Sequence, residues 1–158
     1  MYRGLMVREF FEEKEEEEVK AIAQSKSNGI LVTNVHLDNK STAIMDSGAS
    51  SIYIMNKEIF DKIKMQVTSA NIVVGNNEKV ESLGIGSIGI FSMAHYCPSL
   101  AYNLFATDAF DKLRYETKIG GGKMSITLEE DGIVHDQLVM SRSPDGLYRC
   151  RITDIKKL

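Results

Sequence analysis

The stretch AIMDSGAS, residues 43–50, sets a carboxylate directly after an apolar run and directly before a tight-turn sequence. Burying Asp46 beside Ile44 and Met45 is costly unless the acid has partners. Presented at the open end of a strand, it could take a proton from a water or give one to a reacting group. Gly48 lets the backbone turn without a Cβ and leaves room above the acid, and Ser47 brings a hydroxyl that both donates and accepts. Ala49 is small enough to pack behind such a loop. The plainer alternative is an Asx-type turn, for which Asp-Ser-Gly is ordinary composition. The tetrapeptide alone does not decide between the two.

Other candidates for chemistry are weaker. His36, His95 and His135 stand apart, and Cys97 and Cys150 form no CxxC pair, so a zinc site is not expected and a reducing, intracellular setting fits better than a disulfide scaffold. GIGSIG, residues 84–89, has the spacing of a dinucleotide fingerprint but no helix after it, and its glycines read better as close backbone approaches within a strand. GGGK at 120–123 is followed by Met124, where a phosphate loop needs Ser or Thr. DSGASS, residues 46–51, resembles a phosphodegron, but the apolar residues on both sides argue that it is folded away.

The elements that must position Asp46 are short. Residues 9–27, EFFEEKEEEEVKAIAQSKS, read as a charged helix closed by Asn28-Gly29, its acidic run a solvated face. From Ile30 the texture becomes short apolar runs between turn residues. ILVTNVHL, STAIMD and SIYIM read as strands, with an Asp38-Asn39 turn between the first two. NKEIFDKI has helical spacing of Ile59, Phe60 and Ile63 with Asn56 as N-cap. ANIVV, EKVESLGI and SIGIFSM follow as strands, and TDAFDKL as a short helix capped by Thr107. RYETKI, KMSITLEE, IVHDQLVM and LYRCRI are strands separated by turns at Gly120–Gly122, Asp131-Gly132 and Pro144–Gly146. About ten short strands and two small helices predict an all-β barrel or sandwich.

Bulk properties narrow the class. With 43% hydrophobic and 26% charged residues the chain has globular composition, and 158 residues suit one domain. A formal net charge of −3 argues against direct nucleic-acid binding, which needs a basic face. The opening MYRGLMVREFFEEKEEEE turns acidic too soon for a signal peptide, and no apolar run approaches the ~20 residues that span a bilayer.

AIMDSGAS resembles the apolar-apolar-Asp-Ser/Thr-Gly-Ala/Ser motif of retroviral-type aspartic proteases, the retropepsins, and AYNLFATDAF resembles their second hydrophobic pair with its following helix. More specifically, the order of VVGNNEKVESLGIGSI, PSLAYNLFATDAF and DGIVHDQLVMSRSPDGLYRC looks like the protease region of copia-type LTR retrotransposon Pol polyproteins, over roughly residues 30–152. The resemblance implies a retropepsin-like closed β-barrel at 30–152, which leaves the acidic N-terminal helix or linker at 1–29 and a C-terminal tail at 153–158 outside it. It implies Asp46 as the catalytic acid, Ser47, Gly48 and Ala49 as support of its loop, and Val74, Gly75, Asn76 and Asn77 as the tip of a flap over substrate. Leu104-Phe105 would pack against the acid's loop.

Two positions depart from the family pattern: Ala106 stands where glycine is usual, and Thr107 where arginine often follows. Asp-Ser-Gly occurs once in the chain, so the second carboxylate of an aspartic protease would come from a homodimer. Two adjacent carboxylates share a proton, which implies a mildly acidic optimum and no metal or cofactor. The implied substrate is a peptide or polyprotein, with no nucleic-acid or membrane partner. The implied location is a eukaryotic cytoplasm, including the interior of a retrotransposon virus-like particle. The rival expectation is a catalytically silent, domesticated β-barrel serving as a binding or structural module.

Overall fold

The computed structural model describes residues 38–73 and 78–158. The expected charged helix at 9–27, its Asn28-Gly29 stop and the ILVTNVHL strand lie outside the described residues.

Among the described residues, alternating apolar residues and turn signals give ten strands in two sheets. In chain order they are β1 (Thr42–Asp46), β2 (Ile52–Ile54), β3 (Lys62–Val73), β4 (Lys79–Ile88), β5 (Phe91–Tyr96) and β6 (Asn103–Ala106). A short helix α1 (Thr107–Asp111) leads to β7 (Glu116–Gly120), β8 (Lys123–Glu130), β9 (Ile133–Ser141) and β10 (Arg149–Arg151), and α2 (Ile152–Ile155) follows. The larger sheet runs β10-β1-β6-β2-β5-β4-β3 and the smaller β7-β8-β9. β1 lies parallel to β6, and β2 parallel to β5, so the larger sheet is mixed.

The larger sheet does not close into the expected barrel. β10 and β3 are the two ends of the larger sheet, and β7–β9 form a separate sheet, so among the described residues the barrel-like arrangement stays open. One hydrophobic core nevertheless joins the two sheets. Met45, Ile54 and Phe105 from the larger sheet meet Met124, Ile126, Leu138 and Met140 from the smaller one. Phe91 anchors the centre, its ring 4.8 Å from Phe110 and 5.8 Å from Phe105, both at a steep 76°. Such edge-to-face pairs set the positive ring edge against the negative face and add to plain area burial. α2 belongs to the same core, with Ile152 and Ile155 buried.

Two local expectations change. The helix read over NKEIFDKI is a single 3₁₀ turn, Lys57–Ile59. Asn56 does cap it, its Oδ1 accepting from Glu58 N–H, but Phe60 is extended and Asp61 N–H donates to the Ser87 carbonyl at 2.9 Å. The sheet therefore captures the chain before a helix can propagate, and Ile63 belongs to β3. Thr107 is the first residue of α1 rather than its cap; Ala106 holds the cap position with no side-chain bond.

GIGSIG lies in β4 and the turn after it. A Cβ on Gly86 would collide with the Lys62 carbonyl and come within 2.7 Å of Phe60 Cδ1. Ordinary Gly→Ala exchanges gain stability by restricting the unfolded chain. Here overpacking wins, and Gly86→Ala is expected to cost about 1–3 kcal/mol in urea denaturation. A neutral or stabilising result would mean that β3 and β4 are not packed as described.

Asp61 ties distant parts together: its carboxylate accepts from Lys156 Nζ at 2.7 Å and from Gly89 N–H at 2.6 Å. The Lys156 hydrogen bond, then the Gly89 N–H, hold its carboxyl below the ordinary 3.8, against a smaller opposing effect of burial. A depressed folded-state pKa stabilises above the unfolded value, and that contribution is lost as pH falls below 3.8 through the folded value. The group is largely solvated, so a surface-pair magnitude of about 0.5–1 kcal/mol applies. Asp61→Asn should lower stability at pH 7 by that amount, and the gap to wild type should narrow as pH falls below 3.8, read from urea midpoints.

Candidate active site

β1 is built from Thr42, Ala43, Ile44 and Met45, all buried, and ends on Asp46, which is partly exposed. Its two neighbours fix it on both sides. β10 pairs antiparallel, Ala43 opposite Cys150 and Ile44 opposite Arg149, and Met45 N–H donates to the Tyr148 carbonyl at 3.0 Å. β6 pairs parallel, with Ile44 opposite Leu104, Met45 opposite Phe105 and Asp46 opposite Ala106. The two apolar pairs recognised in the sequence thus lie side by side in one ladder. Phe105 is fully buried in the core and Leu104 half-buried on the opposite face.

Beyond Asp46 the chain turns at once. Asp46 Oδ1 accepts from Gly48 N–H at 2.7 Å, an Asx-type closure of the loop. A Cβ on Gly48 would sit 3.3 Å from that same Oδ1, close enough to press on the carboxylate. Ser47 and Gly48 are exposed and Ala49 half-buried. Both features weighed in the sequence are therefore present together: the acid closes a turn, and it does so at the solvent-facing end of a buried strand. Ala106, opposite Asp46 in the ladder, leaves no exposed surface. Val74, Gly75, Asn76 and Asn77 lie outside the described residues.

Two sets of groups that support this loop were not singled out from sequence. Asn103 is fully buried, and its Nδ2 donates to the carbonyls of Asn39, Lys40 and Thr42 at 2.9, 3.3 and 2.9 Å. Its Oδ1 accepts from Met55 N–H at 2.9 Å. One amide therefore fastens the entry to β1 to the exit of β2, on either side of the Asp46 loop. At the other flank, Arg149 makes a two-pronged contact with Asp145, at 2.9 and 2.6 Å. Burial pushes the Asp145 carboxyl up, but Arg149 and the Leu147 N–H outweigh it and hold it below its ordinary value.

Among the described residues no three His, Cys, Asp or Glu side chains converge as metal ligands. Burial pushes the Cys97 thiol up to about 11 and raises the Cys150 thiol further, so neither is a ready thiolate nucleophile at neutral pH. Among the same residues no helix is long and apolar enough to cross a membrane.

Residues 43–115 match the model of a family described as Pol polyprotein, beta-barrel domain. The match supports a domain of Pol polyprotein origin. It runs from β1 through α1 and includes Asp46, the loop after it and the Leu104-Phe105 pair. The smaller sheet and β10 lie beyond the matched stretch, although their side chains complete the same core. No curated protein and no solved structure matches the chain.

Proposed function

We propose that this Pol-type domain is one subunit of an aspartic endopeptidase of the copia-type retrotransposon class, which hydrolyses peptide bonds in a polyprotein. The observation that carries the reading is the paired end of β1 and β6. Two apolar strands run parallel, and one finishes on a partly exposed aspartate held by its own Gly48 N–H. A second copy of the chain would bring a second Asp46 across a two-fold axis. Two carboxylates that close share one proton. The ionised member draws a proton from a bound water, which attacks the scissile carbonyl, while the protonated member donates to the carbonyl oxygen. The resulting tetrahedral intermediate collapses as a proton passes to the leaving amine. The exposed Ser47 and Gly48 would meet their counterparts in the second copy, and an extended substrate would pair its backbone beside the acids as an added strand.

The test combines association with cleavage. The purified chain is sedimented near pH 6 at several concentrations, and the same samples are assayed on a fluorogenic peptide library. A concentration-dependent dimer whose cleavage rate follows the dimer fraction supports the proposal. A monomer throughout, with no cleavage, overturns it and leaves the silent β-barrel module as the reading.

A further inference from the structure

The loop that follows Asp46 and the long β3–β4 hairpin are separate in sequence, yet a chain of side chains runs from one to the other. Ser50 Oγ lies 2.9 Å from the Tyr53 hydroxyl. Tyr53, nearly buried in β2, stands in register with His95 of β5, and their rings are 5.5 Å apart at 31°. His95 Nδ1 lies 3.2 Å from Ser82 Oγ, and the fully buried Ser82 also donates to the Gly84 carbonyl at 3.2 Å.

Where this chain ends matters. The β3–β4 ladder pairs Met65 with Gly84 and then Ala70 with Ser82, so residues 66–69 stand opposite Leu83 alone. Such a bulge breaks the ladder and bends the strand. Ser82 and Gly84 bracket the break, and they are the two residues that Ser82 Oγ joins to His95. Burial holds the His95 imidazole below its ordinary pKa, so it is neutral at pH 7 and packs on Tyr53 without a charge to solvate.

We propose that Ser50, Tyr53, His95 and Ser82 form a positioning relay that couples the Asp46 loop to the break in the β3–β4 hairpin. Tyr53 and His95 are positioning residues: each holds a polar tether at one end and transmits its seating through the ring contact. The catalytic consequence rests on the peptidase reading above, whereas the coupling itself does not. Loss of either tether should re-seat both rings and loosen the far element.

The experiment is amide hydrogen exchange on the full chain, comparing wild type with Tyr53→Phe, His95→Phe and His95→Asn. Tyr53→Phe and His95→Phe keep an aromatic ring and remove only a polar tether, so the fold should survive. His95→Phe touches nothing in the loop, yet exchange at Ser47–Ser51 should rise by roughly threefold to tenfold, the range expected for one lost hydrogen bond. Tyr53→Phe should raise exchange at Lys79–Leu83 similarly, and the double variant should be less than additive. His95→Asn keeps a polar atom near that of Nδ1 but has no ring to pack on Tyr53, so it should leave the loop no better protected than His95→Phe, and full restoration of protection would overturn the ring contact as the link. Effects confined to the mutated strand, or full additivity, overturn the relay. Peptide cleavage measured on the same samples should fall in kcat rather than rise in KM. A wild type that cleaves nothing defeats the peptidase reading, while the exchange data still decide the relay.

Discussion

Asp46→Asn is expected to abolish peptide cleavage, by roughly 10⁴-fold or more in kcat/KM, because the acid and the base of the proposed pair are the same residue in two copies. Asparagine has the size of aspartate, and its Oδ1 can still accept from Gly48 N–H, the bond that closes the loop at 2.7 Å. Stability should therefore change by no more than about 0.5 kcal/mol, as for most surface exchanges. Asp46→Ala is the poorer probe, since it also removes that bond, at about 0.5–1.5 kcal/mol. The wild-type rate should follow a bell-shaped pH profile centred on mildly acidic values, the two limbs belonging to the pair and not to either copy. Measuring kcat/KM against pH beside urea denaturation of both proteins checks both halves. Retained activity in a folded Asp46→Asn protein would exclude Asp46 as the catalytic acid.

The largest effect on stability is expected at Asn103. Replacing it by leucine strands the partly buried Met55 N–H and withdraws the donor from three carbonyls, of which that of Thr42 is buried. An unsatisfied buried group costs about 1–3 kcal/mol, and more than one is affected, so a loss of about 2–4 kcal/mol follows. Against a typical total of about 5–15 kcal/mol this is severe. Asn103→Asp adds a test of mechanism. A carboxylate keeps the bond from Met55 N–H but turns an oxygen toward three carbonyl oxygens, which favours the protonated form and raises the folded-state pKa. A raised acid pKa destabilises at high pH and is relieved as pH falls. Asn103→Asp should therefore approach wild-type stability on acidification from pH 7 toward pH 4, the reverse of the trend at Asp61. Urea midpoints at the two pH values separate the cases, and a pH-independent deficit would mean that the amide's donors are not what the site requires.

Local order was readable in the sequence wherever a single element decides it. The alternation in KMSITLEE and IVHDQLVM, with Asp131-Gly132 between them, produced the hairpin of β8 and β9. The apolar run ending on Asp46 read directly as β1. What failed was a pattern shared by two elements. Ile59, Phe60 and Ile63 have helical spacing only because a 3₁₀ turn and the first residues of β3 happen to adjoin, and the pairing with β4 outweighs the local preference. Strand order was not readable from local pattern, since β1 joining β6 and β10 depends on partners more than fifty residues away; only the resemblance set Leu104-Phe105 beside the Asp46 loop. Within the candidate site, Asp46 and its loop carried a composition signal, whereas Asn103 carried none. A buried amide is defined by what surrounds it. Ile152, read as the end of the LYRCRI strand, instead opens the small helix α2.

The place of β10 has a consequence in time. The strand that carries Asp46 is held on one flank by Arg149–Arg151 and by the Tyr148 carbonyl. During synthesis the acid and its loop leave the ribosome about a hundred residues before that flank exists. Until Tyr148–Arg151 emerge, β1 lacks one of its two neighbours, and the Asp46 loop has no finished support. Translation order thus sets Asp46 about a hundred residues ahead of one of the two strands that flank it.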